Sequence, residues 1–488
     1  MTDAHSDTMA DAHSHTPHSD ALVLFGATGD LAHKKIFPSL YQMVARGHLD
    51  VPVIGIAFDD WPLEKLVARA RDGIAHALGE VDETVFGRLV ALLSYVSGDY
   101  RDAATFDRLK AALGARHRPI FYLAIPPSLF ETVVRSLQQA GLTKDARLMI
   151  EKPFGHDLAS ARDLNAILHS AFPESALFRI DHYLGKEAIQ NLLYFRFANS
   201  FLEPVWNRDH IDSVEITMAE DFSVEGRGKF YDEVGCLRDV VQNHLLNVLL
   251  LLAMEPPAGH AADDLMDEKQ RVLKAMPALS PPDIVRGQFR GYLDEPGVKP
   301  GSTVETFVAV RFRVDTWRWQ GVPFYIRAGK NLPVHATEVV VRFKRPPIDV
   351  FDPLAGAGNY VRFRIAPQVV VALGARRKMA GDAMIGEPVE LLAVDDDSAD
   401  MLPYERLIGD AIAGNKQLFT RQDISEEAWR VVAPVLDDPI PPPVYAPGTW
   451  GPEEAMTDFG PPGGWHALEA APKGAPATSM SPTHPVKS

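Results

Sequence analysis

From residue 20 to about residue 180, short β-rich runs alternate with longer stretches whose apolar positions recur at helical spacing. The runs fall at Ala21–Phe25, Val53–Ala57, 120–124 and 147–150, and helical stretches lie between them at Leu63–Leu78 and 128–140. Pro126 and Pro127 lead into the second helix, with Ser128 as a candidate cap. This rhythm predicts βαβ units and a parallel sheet, because parallel neighbours require a crossover between them. After about residue 205 the period shortens to two. Apolar and polar residues alternate at 214–218, 308–312, 339–343, 360–365 and 369–372. Strands of that kind bury one face, so a largely antiparallel sheet is expected, with the apolar segment 237–254 as a helix packed on it. No repeat recurs at a fixed period.

At 488 residues the chain exceeds the ~250 to 300 residues at which single cores stop growing. The fold class expected is α/β plus α+β: a doubly wound domain over residues 20–180, then a domain with a large, mostly antiparallel sheet over residues 181–455. Residues 1–19 carry His5, His13, His15 and His18 among Asp, Ser and Ala without periodicity. They read as a disordered leader, with a metal-binding tail as the alternative. From Gly460 onward Pro, Gly, Ala, Ser and Thr dominate, and residues 456–488 are expected to be a frayed tail with no fold of its own.

Charge narrows the choice of partner. Forty-nine Lys plus Arg against 65 Asp plus Glu leave a net charge of −16, which opposes nucleic acid and anionic membranes. An anionic ligand therefore needs a locally concentrated basic site. The single cysteine, Cys236, excludes an intramolecular disulfide and reads as an inert thiol. The most apolar segment, 245–254, has half of the ~20 residues a membrane helix requires, and the first residues show no secretory pattern. Cytoplasm is the expected compartment, and no metal site is expected.

Four segments carry candidate chemistry. The first strand ends in Phe25-Gly26-Ala27-Thr28-Gly29-Asp30-Leu31-Ala32, where two glycines allow a tight turn and close approach of a phosphate to a helix N-terminus. Alone, such a turn is as often purely structural. Its place after the first strand of a βαβ series favours a Rossmann-like coenzyme domain. Glu151-Lys152-Pro153-Phe154-Gly155 ends a predicted parallel strand, the end at which ligands bind in open α/β sheets, so Lys152 faces the crevice. In Arg179-Ile180-Asp181-His182-Tyr183-Leu184-Gly185-Lys186-Glu187, two possible cations and a hydroxyl suit a phosphoryl group. Arg238 to His244 supplies an imidazole, and alcohol oxidation by hydride transfer needs a base of that kind. Asp181 or Asp239 is available to orient His244. Five positions along an α-helix turn Asp239 roughly 140° away from His244, which favours Asp181.

Together, in this order, these segments closely resemble the glucose-6-phosphate dehydrogenase family, along with Phe195-Arg-Phe-Ala-Asn199 and Val205-Trp-Asn-Arg208. The resemblance runs from about Leu22 to Trp450. It implies a coenzyme domain followed by a β+α domain, a homodimer or homotetramer built across that sheet, and NADP or NAD as coenzyme. It implies His244 as general base with Asp181 as its carboxylate partner. His182, Tyr183 and Lys186 would hold the substrate phosphate, and Lys152 would lie between substrate and coenzyme. Glu220, Asp239 and Lys330 would contact the sugar, while Lys35, Asp99 and Tyr100 would line the coenzyme site. The implied substrate is glucose 6-phosphate, oxidised to 6-phosphoglucono-1,5-lactone in the first step of the pentose phosphate pathway.

Two positions depart from the family. Many NADP-using members place an Arg just after the second strand, where this chain has Phe58-Asp59-Asp60. A carboxylate there accepts hydrogen bonds from a free ribose 2′-hydroxyl and repels a 2′-phosphate, so NAD use is expected; Arg69 and Arg71 are the cations that could fold back. His335 stands where members often carry Lys or Arg, and a part-time cation predicts a weaker or more pH-dependent phosphate site. The alternatives are a related sugar or sugar-phosphate dehydrogenase, or a catalytically silent nucleotide-binding homologue.

Overall fold

The structure is a computed structural model that describes residues 18–224, 226–348, 350–351, 358–394 and 401–468. Most of the leader, residues 1–17, and of the tail, residues 469–488, lies outside the described residues. The chain divides into two compact units. The first holds residues up to 186 and takes back 257–270 and 401–429; the second holds 187–256, 271–400 and the chain from 430 onward. A single boundary at residue 180 does not describe this arrangement, because two distant segments return to the first unit.

In the first unit, β1 (Ala21–Phe25), β2 (Val53–Ala57), β3 (Leu93–Ser97), β4 (Pro119–Leu123), β5 (Arg147–Glu151) and β6 (Leu177–Ile180) form a parallel sheet. Their order is β3-β2-β1-β4-β5-β6, closed by an antiparallel pair of residues, Phe419–Thr420, on β6. This is the doubly wound order whose switch point lies between β1 and β4. β1, β2 and β4 are buried at every position, as strands covered on both faces must be, and that made them legible as apolar runs. β3 was not, since Ser94, Tyr95 and Ser97 are only half-buried. Phe25 anchors the core, with ring centroids 5.5 Å from Tyr100, 6.3 Å from Phe106 and 6.4 Å from Phe121. Helix 128–140 starts differently from expectation. Pro127–Leu129 is a 3-10 turn and the α-helix runs Phe130–Gln139, with no side-chain cap at its start.

The end of the expected leader is ordered. Ser19 donates its N–H to Ile412 O at 2.9 Å, and the Asp20 carboxylate accepts the N–H groups of His117 and Arg118 at 2.8 and 2.9 Å. Arg147 joins Ser19 Oγ (3.1 Å) to the carbonyl of Ala411 (3.2 Å), which ties segment 401–429 to β5.

The second unit is built on β7 (Ile211–Ala219), β8 (Ile284–Phe289), β9 (Phe307–Phe312), β10 (Phe324–Gly329), β11 (Ala336–Phe343), β12 (Tyr360–Ala366), β13 (Val370–Lys378) and β14 (Gly386–Val394). With Val444–Tyr445 they make a nine-stranded sheet in the order β14-β13-β12-β11-β7-β10-β9-β8. All neighbours are antiparallel except β7 with β10 and β8 with Val444–Tyr445. Polar positions of the alternating strands were expected to face water. Instead Glu215, Arg327 and Glu338 are almost fully buried. They sit in a ladder of charge-assisted hydrogen bonds, Arg364 Nε and Arg362 Nη1 each reaching Glu338 Oε2 at 3.0 Å while Arg342 bonds Glu215.

The cover over that face includes part of the expected frayed tail. Trp465 stacks on Arg327 at 4.4 Å opposite Trp450 at 4.3 Å, its indole N–H reaches Ala455 O at 2.9 Å, and His466 N–H reaches Glu215 Oε2 at 2.8 Å. Residues 460–468 are therefore packed rather than frayed. Composition misled here because one aromatic residue, Trp465, outweighs many small ones when it covers a buried guanidinium.

The apolar helix also departs from expectation. Gly228–Ala253 is one helical run of 26 residues, long and apolar enough to cross a membrane by length and composition alone. It is kinked at Gly235 (φ 68°, ψ 175°) and wound as a π-helix over Leu237–Leu245 before the α-helix Leu246–Ala253. Every residue from Leu246 to Ala253 is buried in the unit. Cys236 is buried too, and burial pushes its thiol far above the usual range, which makes it inert as expected.

Candidate functional site

In the first unit the glycine turn leaves β1 at the switch point. Gly26 has φ 79°, and a Cβ there would lie 2.3 Å from Ala124 O, so only glycine lets the backbone pass. Its N–H donates to Ile56 O at 2.9 Å and to Tyr100 Oη at 3.1 Å. Tyr100 was expected to line the coenzyme site. It is buried beneath the turn, bonds Ile56 O at 3.2 Å, and has its phenol pushed up to about 12 by burial. Its hydroxyl braces the turn through these two hydrogen bonds. Asp99 accepts the Arg101 N–H at 2.9 Å. Beyond the turn the chain winds as a π-helix over Ala32–Ile36, with Ala27 and Ala32 buried and Lys35 exposed.

The end of β2 meets this turn. Thr28 Oγ1 donates to Asp59 Oδ2 at 2.6 Å, and the Tyr95 hydroxyl donates to Asp59 O at 2.5 Å, while Phe58 is 72% exposed. Both candidate cations are paired, Arg69 with a residue of the glycine turn itself. Arg69 pairs with Asp30 at 3.3 Å and Arg71 with Glu83. A glycine-lined turn, a helix start and a carboxylate at the second strand end fit the pyrophosphate and ribose of a dinucleotide.

β5 delivers Glu151 and Lys152 to the same end of the sheet, and the Lys152–Pro153 peptide is cis. Sequence reasoning gave Glu151 no role. Its half-buried carboxylate accepts the Tyr122 hydroxyl at 2.5 Å and is hydrogen-bonded to Tyr404. Burial raises it to about 7, against the lowering by Tyr122, Lys152 and Tyr404. The Tyr404 ring in turn lies parallel to His182, 6.2 Å between centroids. The one available signal was an acidic residue closing an otherwise apolar strand; Tyr404, far away in sequence, offered none.

After β6 the chain turns tightly, Leu184 N–H reaching Asp181 O at 3.0 Å and Lys186 N–H reaching Tyr183 O at 3.1 Å. Asp181 is 1% exposed and accepts the Tyr183 N–H at 3.0 Å. The Lys186 ammonium rests over the Tyr183 ring at 3.8 Å. Burial lowers Lys186 to about 8, opposed by Asp181 and aided by Lys35. Asp181, His182, Tyr183, Lys186 and Lys35 thus share one neighbourhood.

The second unit carries the rest. Lys330, at the end of β10, forms an ion pair with Glu220 at 2.5 Å, and its ammonium lies 5.0 Å from the Phe222 ring. His335 is exposed and sits 5.5 Å from the same ring. Asp239 and His244 both lie in the π-helical stretch Leu237–Leu245, His244 being 3% exposed with its N–H on Asn243 Oδ1 at 2.7 Å. The α-helical angle that separated Asp239 from His244 does not apply there. Hydrogen bonds of the i→i+5 type bring residues five apart close to one line, and such bulges favour functional sites.

A doubly wound unit with a coenzyme-type glycine turn, followed by a unit that carries a buried histidine on a π-helical stretch and a separate lysine–carboxylate pair, has the parts of a two-domain, nicotinamide-dependent dehydrogenase of the open-sheet class. Comparison with known proteins narrows the class. Residues 23–191 match the family described as glucose-6-phosphate dehydrogenase, NAD binding domain, and residues 193–461 match glucose-6-phosphate dehydrogenase, C-terminal domain. The chain belongs to the glucose-6-phosphate dehydrogenase family. It is 45% identical over 444 residues to glucose-6-phosphate 1-dehydrogenase 1 of Mycobacterium tuberculosis, covering 90% of this chain and 94% of that one. The crystal structure of glucose-6-phosphate 1-dehydrogenase from Mycobacterium avium superposes with a TM-score of 0.87 at 46% identity, over 93% of this chain and 99% of that one. A glucose-6-phosphate dehydrogenase in complex with its substrate glucose-6-phosphate gives 0.84 at 34% identity, again over 93% and 99%.

Proposed function

We propose that the chain oxidises glucose 6-phosphate at C1 to 6-phosphoglucono-1,5-lactone. The observation that carries this reading is the folded run from Asp181 to Lys186, a buried carboxylate and a partly desolvated ammonium on consecutive turns beside Lys35. His182, Tyr183 and Lys186 bind the phosphate. Glu220, Asp239 and Lys330 orient the sugar hydroxyls, and His335 adds charge when protonated. His244 takes the C1 hydroxyl proton, and Asp181 stabilises the imidazolium that forms. The coenzyme, held by Gly26, Ala27, Thr28, Gly29, Asp30, Leu31, Lys35 and Asp99, with Lys152 toward the substrate, supplies the hydride acceptor. Asp59 at the end of β2 favours NAD, because its carboxylate repels a 2′-phosphate, Arg71 is held by Glu83, and Asp30 offsets the charge of Arg69.

The expected assembly is a homodimer or homotetramer across the large sheet, whose edge strand β14 exposes Leu391, Leu392 and Val394. Cytoplasm is the proposed compartment. The test is initial-rate coenzyme reduction with glucose 6-phosphate, NAD and NADP compared, free glucose as control, and His244→Ala alongside. The expected result is a preference for NAD, little turnover of glucose, and a loss of about 10²- to 10⁴-fold in kcat for the variant. Near-normal turnover by His244→Ala would sink the assignment of the base; a strong NADP preference would sink the reading of Asp59.

A further inference from the structure

A buried carboxyl in the second unit takes no part in the mechanism above. Glu305, just before β9 and 8% exposed, accepts the Leu237 N–H on its Oε1 at 2.9 Å, while its backbone carbonyl accepts the Cys236 N–H at 3.1 Å. Cys236 ends the α-helical part of the run and Leu237 opens the π-helical part. The non-helical backbone at Gly235 interrupts the helical ladder there, and a helix start leaves N–H groups without helical acceptors. A residue 68 positions from Leu237 supplies the missing acceptors.

From Leu237 the hydrogen bonds run on to the base. The carbonyl of the next residue, Arg238, accepts Asn243 Nδ2 at 2.9 Å, and Asn243 Oδ1 accepts the His244 N–H at 2.7 Å. Glu305 is itself held by a frame that does not depend on its side chain. Its neighbour Thr306 is fully buried, donates its N–H to Gly287 O at 2.8 Å and accepts the Lys330 N–H at 2.9 Å. Burial raises the Glu305 carboxyl above its usual range, opposed by the Leu237 N–H. Arg238 and Arg286, whose charges favour its ionised form, are paired with Asp437 and Asp438, each at 2.7 Å. Keeping a carboxyl in so buried a place calls for a physical reason, and the hydrogen bond to the start of the base-bearing stretch supplies one.

We propose that Glu305 is a positioning residue for the hydride-transfer base: its side chain fixes where the π-helical stretch Leu237–Leu245 begins and, through Arg238 and Asn243, sets the place of His244. This rests on the assignment of His244 above. The group required is an acceptor of the right reach rather than a charge. Glutamine keeps that acceptor, aspartate withdraws it by one carbon, and leucine removes it while filling the space.

The experiment compares the full-length enzyme with Glu305→Gln, Glu305→Asp, Glu305→Leu, His244→Ala and the double variant Glu305→Leu/His244→Ala. It reads kcat at saturating glucose 6-phosphate and coenzyme, with thermal unfolding to show that each variant is folded. Glu305→Leu and Glu305→Asp should lose about ten- to hundredfold in kcat, as a displaced reacting group does, while Glu305→Gln stays within about threefold of the parent enzyme. The double variant should be no slower than His244→Ala, since a residue that acts through the base has nothing left to act on. Should Glu305→Leu fail to fold, Glu305→Asp carries the same comparison, alone and combined with His244→Ala. Unchanged kcat in both Glu305→Leu and Glu305→Asp, with His244→Ala strongly impaired, overturns the role of Glu305 alone. An equal loss with and without His244 does so too, because it marks a general structural effect. Near-normal kcat in His244→Ala overturns the assignment of the base and this proposal with it.

Discussion

At the scale of single residues, charge and burial set what each site residue can do. Lys186 is a lysine pushed down to about 8 by burial, so its charged fraction falls as pH climbs through that value. KM for glucose 6-phosphate should therefore rise above pH 8, and Lys186→Arg, which stays charged, should flatten the rise; a KM independent of pH up to 9.5 would show that Lys186 does not carry the phosphate. Asp181, His182, Tyr183 and Lys186 were legible because one uninterrupted run carries them. Glu151 and Tyr404 were not, since the pairing that gives them meaning joins residues more than two hundred positions apart. The hydrogen bonds by which Tyr100 braces the glycine turn were not legible, because they join residues far apart in the chain.

At the scale of elements, the helical run Gly228–Ala253 shows how a kink places chemistry. Gly235 adopts φ 68° and ψ 175°, and a Cβ there would lie 2.7 Å from Glu305 Oε1. That carboxyl oxygen accepts the Leu237 N–H at 2.9 Å, at the mouth of the π-helical stretch holding Asp239 and His244. Gly235→Ala should cost about 1–3 kcal/mol of stability through backbone strain and lower kcat by displacing the His244 segment. A variant with wild-type melting temperature and kcat would show that the kink is not needed. The apolar period announced a helix here, but not its winding. Local propensity does not distinguish i→i+4 from i→i+5 hydrogen bonding when packing on both sides decides it.

At the scale of the whole molecule, two tertiary features govern stability. One is the return of 257–270 and 401–429 to the first unit, and the other is the cover that residues 450–468 place over the buried ion-pair face of the large sheet. Trp465→Ala should uncover Arg327 and cost about 2 kcal/mol, seen as a lower melting temperature. An unchanged melting temperature for Trp465→Ala would mean that Trp450 alone suffices to cover the guanidinium.

The sequence by itself determined the class of fold, since buried parallel strands and half-buried antiparallel ones impose different periods of hydrophobicity on the chain. It also determined the glycine turn and the phosphate-binding run, because both are contiguous and their chemistry requires particular residue types at adjacent positions. Tertiary structure alone decided which segments rejoin the first unit, which polar faces are dry, and how the base-bearing helix is wound. Those outcomes depend on contacts between residues far apart in the chain, where the energy of burial and pairing overrides any local pattern.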